Sequence, residues 1–496
     1  MSSSNYLAFD LGAESGRAVL GTLEKGLLSI REIHRFPHAP VSLAGRLRWD
    51  IDHLLLEIKK GLGLAALTAS KIESAAVDTW GVDFGLLDAE GKVIAPPICY
   101  RDAAHVVAMG SFLNIIPSQR LYRRTGLQLL PFNSIFQLHG LAGSVELRAA
   151  TRLLFMPGLL TYLLSGVRAN DETIASTSQL VDPFKSGWCE DLLGALGLPT
   201  GLLGPIVPPG AKIGRLSPDV ARETGCPEIP LTAVAGHDTA SAVAAVPAAG
   251  DDWAYLSSGT WSLLGLETER PVITEDSERF NFTNERGLGG KTRFLKNISG
   301  FWLVQQCRRR WLESDPDLTY DRLWAEAEAA PPLRSFIDPD DPVFLNPPDM
   351  LSEIKRFCHK TIQPVPESPA EITRCILESL ALKYRCVLDQ LREASGRPVR
   401  RIHIIGGGSR NALLNSFTAA ATHLPVLAGP VEATAVGNLL VQAMARGKVQ
   451  NPEEIRAIVA RSFEVRKFEP TVSRTWDKAY DAFVKIIEAR GKEHHR

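Results

Sequence analysis

The chain has 496 residues, 45% of them hydrophobic, with 55 Lys and Arg against 56 Asp and Glu. At roughly 100–200 residues per domain this length predicts two domains, each able to bury an ample core. The balanced charge excludes the basic field that draws nucleic acid or an anionic membrane surface, so neither is expected as a partner. The opening residues MSSSNYLAFD carry no basic segment followed by an apolar one, and no apolar run approaches bilayer length, which predicts a cytoplasmic protein. Seven scattered cysteines, an odd number with no CxxC pair, match neither a disulfide framework nor a zinc site; Cys358 and Cys375 could pair, but reduced thiols are expected.

Apolar alternation predicts three opening strands, YLAFDLG, RAVLGTL and LLSIREIHRF, then a helix near Ile51 to Leu67 with Leu54, Leu55, Ile58 and Leu62 on one side. The strand IESAAVDTW and a hairpin over FGLLDAEGKVIAPPICY, turning at Glu90 and Gly91, follow. Helical and irregular segments are expected over 103–225, then a strand LTAVAG at 231–236. A composition break, VPAAGDDW, precedes a second hairpin, WAYLSSGTWSLLG at 253–265, and sets the expected domains at 1–246 and 247–496. The second half then repeats the plan: helices over 370–395, the strand RRIHIIGGG, a helix over 411–423, a strand PVLAG and a helix from Ala433 to Arg446. This order predicts a duplicated α/β sheet-plus-helices unit.

Four sites carry chemistry. The first is the turn after YLAFDLG. Asp10 ends the strand where a carboxylate suits Mg²⁺ held through water beside phosphates. The residues Gly12 to Arg17 offer Ser15, Gly16 and the Arg17 cation to phosphate oxygens, on the expectation that glycine supplies positive φ and close approach. Glu14 would be repelled by a polyphosphate unless it points outward or to a metal. The second is AVAGHDTASAV, where a strand breaks at Gly236 and a helix of small residues begins at His237, Asp238 and Thr239. An aspartate at a helix amino end is expected to stay ionised, and Asp238 is the candidate base for a substrate hydroxyl attacking a γ-phosphate; a helix N-cap is the other reading of the same residue.

The third is the turn Ser257 to Thr260, with Thr260 placed to reach a phosphate oxygen, and the fourth is IHIIGGGSRN, whose three glycines leave room for a base or ribose on bare backbone. ERGLGGKT at 285–292 is rejected as a phosphate loop, because Glu285 stands where the first Gly belongs and KTRFLKN reads as a strand.

The segments DLGAESGR, DTWGVDFGLLD, GHDTASAV, AYLSSGTWSLLG, LKNISGFWLVQ, IIGGGSRNALLN and GPVEATAVGN, in this order and spacing, resemble the FGGY carbohydrate kinases over nearly the whole chain. The resemblance implies two ribonuclease H-like domains of the actin/hexokinase type, with an ATP and sugar cleft between them on which Asp238 and the two hairpin turns converge. It also implies ATP as co-substrate, Mg²⁺ and a small-molecule ketose. DTWGVDF, LPFNSIFQL and LKNISGFWL are similar to members acting on L-rhamnulose, which implies transfer to its 1-hydroxyl. Carried over by position, the resemblance implies Asp238 as base and Gly81, His237, Thr239 and Asn297 at the sugar. Ala13, Glu14, Ser15, Gly16, Arg17, Thr260, Gln305 and Gly407 would contact ATP, with Asp10 near the metal. YRDAAH lacks the second arginine of a frequent RDxR form. A kinase of L-fuculose, xylulose or glycerol would keep every nucleotide motif, and an actin- or chaperone-like ATP switch would keep the fold without a sugar. Oligomeric state leaves no mark in the sequence.

Overall fold

The computed structural model describes residues 3–185, 187–471 and 474–494. It separates into two compact units, one of residues 1–249, 267–294 and 432–463, the other of 250–266, 295–431 and 464–496.

The first unit is built on a six-stranded sheet: β1 (Ser4–Leu11), β2 (Ser15–Glu24), β3 (Leu27–Pro37), β4 (Ser74–Thr79), β5 (Lys212–Arg215) and β6 (Pro230–Thr232), in the order β5-β6-β4-β1-β2-β3. β1, β2 and β3 form an antiparallel meander, and β4 and β6 run parallel to β1. Tyr6, Leu7, Ala8, Phe9 and Leu11 of β1 are all buried, as expected for a strand covered on both faces. Helix α1 (Ile51–Thr68) starts with the Asp50 side chain accepting from His53 N–H and buries Ile51, Leu54, Ile58 and Leu62. Helices α2 (Asp238–Ala244) and α3 (Ala433–Ala445) belong to the same unit. A Cβ at Gly437 of α3 would lie 1.8 Å from Ser241 O of α2, so only glycine permits this approach.

Two expected elements differ. Phe84–Leu87 pairs antiparallel with Arg152–Phe155, and only a single bridge, Leu87 to Val93, remains of the expected local hairpin. The local hairpin goes no further because Pro96 and Pro97 in the expected second arm lack N–H donors. Likewise LTAVAG is a strand only as far as Thr232, and beyond it Gly236 N–H bonds the Asp171 carboxylate at 3.2 Å. Residues 104–225 contribute a separate apolar core that includes Phe112, Leu121, Phe136, Leu153 and Leu193.

The second unit repeats the plan. Strands β7 (Trp253–Ser258), β8 (Trp261–Thr268), β9 (Thr292–Ser299), β10 (Arg401–Ile405), β11 (Val426–Ala428) and β12 (Arg466–Phe468) lie in the order β9-β8-β7-β10-β11-β12, with Thr283–Arg286 as a seventh strand beyond β9; residues 267, 268 and 292–294 are counted with the first unit. β7 and β8 are antiparallel, and β10 and β11 run parallel to β7. The 27-residue helix Pro369–Ser395 has a Ser368–Glu371 capping box and a left-handed Gly396 at its end, the signals that bound such a helix. All seven cysteines are free thiols. No helix of the described residues is long and apolar enough to cross a membrane.

Candidate active site

The carboxyl ends of β1 and β4 and the chain following β6 bring the acidic residues of the first unit together, where open α/β sheets place their ligands. Asp10 and Asp78 are register partners on β1 and β4, and Thr79 bridges to His237. Asp10 Oδ2 accepts from Arg17 Nη2 at 2.6 Å and Nε at 3.0 Å, and Arg17 also pairs with Glu432. Burial opposes the charge on Arg17, but Asp10 and Asp78 hold its pKa above the ordinary value.

Asp78 is fully buried, with Oδ2 accepting from Asn438 at 2.6 Å and Oδ1 without a hydrogen-bond partner among the described residues. Desolvation, then the Asp10 charge, lifts its pKa well above the usual carboxylate range.

The turn after β1 uses its glycines differently from the sequence expectation. Neither Gly12 nor Gly16 has positive φ. Gly16 is required because a Cβ there would fall 2.3 Å from the Phe36 ring. Gly12 N–H closes the turn on Ser15 O at 3.0 Å, and His38 N–H donates to Glu14 O at 3.1 Å. Glu14 is exposed at the tip of this turn.

Asp238 is the first residue of α2, with His237 at the N-cap. Its Oδ1 accepts from Thr239 N–H at 2.5 Å and Thr239 Oγ1 at 3.1 Å. The expected effect of the helix amino end is outweighed: burial raises the Asp238 pKa, Asp10 adds to it, and His237 opposes it. The side chain keeps 27% exposure, so the carboxylate remains accessible to a ligand.

Gly81 lies against the same histidine, since a Cβ on it would stand 3.3 Å from His237 Nε2 and 3.5 Å from the Thr177 side chain. The next residue, Val82, has φ of 65°, a strained value for a β-branched side chain. Its N–H donates to Thr177 Oγ1 at 3.1 Å and its carbonyl accepts from Ser134 Oγ at 2.5 Å, which pins the peptide from both sides. Asp83 completes the turn by accepting from Trp49 Nε1 (2.6 Å), Trp80 Nε1 (3.0 Å), Tyr100 N–H (3.1 Å) and Gln137 Nε2 (2.9 Å). Burial still raises its pKa to about 6. Ser134 and Gln137 belong to LPFNSIFQL, so two of the segments singled out in the sequence build one wall.

The second unit groups other predicted residues. Ser258 and Ser262 face each other across the β7–β8 turn. Thr260 Oγ1 accepts from Gln305 Nε2 at 3.3 Å, and Thr260 O accepts from Gly300 N–H and Trp302 N–H at 3.1 and 3.2 Å. The glycine run follows β10. Gly406 has φ of 82°, and a Cβ on Gly408 would fall 2.0 Å from Ser258 Oγ. Only Gly407 of the three has open space around its Cβ position. Asn297 lies within β9.

Sequence reasoning missed Asp78, Asn438, Glu432 and the pair Glu285–Arg293. Glu285 figured only as the residue that spoils a phosphate loop. Its true partner lies eight residues on, with Arg293 Nη2 2.9 Å from Glu285 Oε2.

Two family models cover the chain: the N-terminal domain of the FGGY family of carbohydrate kinases matches residues 5–245 and its C-terminal domain residues 254–446. The chain belongs to the FGGY family of carbohydrate kinases. As an FGGY carbohydrate kinase it is 48% identical to the rhamnulokinase of Bacteroides thetaiotaomicron over 97% of this chain and 99% of that protein. It is 40% identical to the rhamnulokinase of Enterococcus faecalis over 97% of each. Among solved structures, a gluconate kinase from Lactobacillus acidophilus superposes with a TM-score of 0.81 at 16% identity, covering 98% of both chains. The Plasmodium falciparum glycerol kinase with ADP does so at 0.77 and 14%, again over 98% of both. These distant structures establish the two-domain FGGY kinase fold.

Proposed function

We propose that this FGGY kinase transfers the γ-phosphoryl group of ATP to the 1-hydroxyl of L-rhamnulose, giving L-rhamnulose 1-phosphate and ADP in the cytoplasmic breakdown of L-rhamnose. The supporting observation is the pairing of a ligand-accessible, partly desolvated Asp238 with His237 and Gly81 at one sheet end, in a chain 48% identical to a rhamnulokinase. Asp238 accepts the hydroxyl proton as the oxygen attacks phosphorus, and its raised pKa brings it nearer that task than an ordinary aspartate. His237, Thr239 and Asn297 bond sugar hydroxyls, and bare Gly81 lets the sugar approach the backbone. Ala13, Glu14, Ser15, Gly16, Arg17, Thr260, Gln305 and Gly407 serve ATP, the first five from the β1–β2 turn and the start of β2 and Gly407 through its open face.

The residues present fit Mg²⁺. No group of three or more metal-ligating side chains occurs among the described residues. Mg²⁺ in kinases is commonly held by one carboxylate, water and substrate phosphates, and Asp10 supplies that carboxylate. When bound, the ion neutralises charge on the phosphate oxygens. Arg17, already paired to Asp10, shares that electrostatic task at the same turn.

The test is ADP release with Mg²⁺ATP across L-rhamnulose, L-fuculose, L- and D-xylulose and glycerol. A kcat/KM highest for L-rhamnulose is expected, because a wrong sugar leaves buried polar groups unpaired. Preference for another acceptor, or ATP turnover indifferent to every sugar, would overturn the reading.

A further inference from the structure

A buried ion pair stands behind His237, and no step described above uses it. Arg293 is 0% exposed and Glu285 4%. Arg293 Nη2 lies 2.9 Å from Glu285 Oε2 and 3.0 Å from His237 Nδ1, while Glu285 Oε2 is 3.2 Å from the same Nδ1. Arg293 Nε is anchored on Arg286 O at 3.0 Å. A guanidinium nitrogen of this kind has two hydrogens and no lone pair. One hydrogen goes to the carboxylate and the other toward Nδ1; because the guanidinium cannot accept, this contact at 3.0 Å, shorter than the 3.2 Å from Nδ1 to Glu285 Oε2, favours a lone pair on Nδ1. A neutral imidazole that accepts at Nδ1 carries its proton on Nε2.

Nε2 is the nitrogen that faces the candidate site. It is 3.5 Å from Asp238 Oδ1 and 3.3 Å from the Cβ position of Gly81. The histidine backbone is fixed as well, with His237 N–H on Thr173 Oγ1 at 3.2 Å and Thr79 N–H on Gly236 O at 2.9 Å. These bonds fix where the ring is carried, and the Arg293 contact at Nδ1 favours the orientation with Nε2 toward the site. Stability alone does not account for the pair, because apolar side chains of similar volume often replace a buried ion pair without loss. Burial pushes the Glu285 carboxyl up, the adjacent Arg293 guanidinium opposes it, and the carboxyl ends below its usual range.

We propose that Arg293 and Glu285 are positioning residues that hold His237 as the neutral Nε2–H tautomer, so that its proton is donated to a sugar oxygen beside Asp238. The division of labour follows: His237 is a fixed donor and leaves proton acceptance to Asp238. This inference rests on the proposed placement of the sugar at Gly81, His237 and Asp238.

The experiment uses the full chain labelled with ¹⁵N-histidine, with two-bond ¹H–¹⁵N correlations assigned by His237→Asn. The wild type is expected to show a protonated Nε2 and an unprotonated Nδ1 at His237. Arg293→Met combined with Glu285→Met leaves no unpaired charge. It is expected to retain the fold by circular dichroism and to show a mixed tautomer signal. Its kcat/KM for L-rhamnulose should fall roughly tenfold or more, the scale of one lost hydrogen bond to substrate, while KM for ATP stays within about twofold. A proton on Nδ1 in the wild type overturns the proposal whether or not the double variant folds, and so does a folded double variant with wild-type kinetics for the sugar. The Nε2–H pattern in a wild type that phosphorylates no ketose would instead sink the sugar placement while supporting the role of Arg293 and Glu285 toward His237.

Discussion

Asn438 donates through Nδ2 to Asp78 Oδ2 at 2.6 Å, joining helix α3 to strand β4 across 360 residues of sequence. Burial, then the Asp10 charge, favours the protonated acid at Asp78. Asp78 is the register partner of Asp10, where a second full negative charge would be repelled.

Asp78→Asn imitates that protonated acid. The raised pKa means the folded state keeps a proton that the unfolded chain releases above about pH 4, so wild-type stability falls as pH rises from there toward the raised value. Asp78→Asn removes this slope. Urea unfolding at several pH values should show the variant gaining on the wild type as pH increases; parallel curves would show that Asp78 is ionised.

Asp238→Asn keeps size and loses the proton acceptor. We expect kcat to fall by roughly 10²–10⁴ with sugar affinity largely preserved. Turnover by ADP release and sugar binding by calorimetry measure the two separately. Near-normal turnover would reject Asp238 as base.

The same residue sets an acid limb in the pH profile. A base works only when deprotonated, and the Asp238 pKa is shifted upward by burial and by Asp10. Sugar kcat/KM should therefore decline on acidification with an apparent pKa above the ordinary aspartate value of about 4. A flat profile down to pH 4 would contradict the shift.

Gly81→Ala would set a methyl 3.3 Å from His237 Nε2, tighter than ordinary packing. The expected result is a roughly tenfold higher KM for the sugar, with KM for ATP and thermal stability little changed. Equal effects on both substrates would show that this backbone does not meet the sugar.

Gly437→Ala tests packing alone. The added Cβ would overlap Ser241 O at 1.8 Å, and a backbone atom between two helices cannot swing aside. A loss of about 3 kcal/mol in urea unfolding is expected. Wild-type stability would mean that α2 and α3 separate easily.

Much of this was legible in the sequence because the informative signals are local. Period-two apolar runs gave β1 to β4 and β7 to β10, and the motif residues fell where those strands end. The errors were of another kind. The partner of Phe84–Leu87 lies 65 to 71 residues away at Arg152–Phe155, and no local pattern encodes that choice. Glycines read as a phosphate turn, a strand break and bare backbone for a nucleotide proved to be points of contact within the protein: Gly16 on Phe36, Gly236 on Asp171, Gly408 on Ser258. Such contacts depend on a neighbour that only the fold supplies. Glu285 and Arg293 escaped notice for the same reason, since a carboxylate and a guanidinium eight residues apart carry no signature until a loop folds them onto His237.

Helix α3 has a bearing on how the molecule is made. Leu439 packs where Gly21 has no side chain, Gln442 Nε2 donates to Leu7 O at 2.9 Å, and Ser74 Oγ donates to Gln442 Oε1 at 2.7 Å. A nascent chain emerging from the ribosome thus carries β1 to β6 long before the piece that covers them, residues 432–463, has been translated. Until then, apolar strand surface and the carbonyl of Leu7 stay open to water or to a chaperone, and the amino-terminal half reaches its finished form only near the end of synthesis.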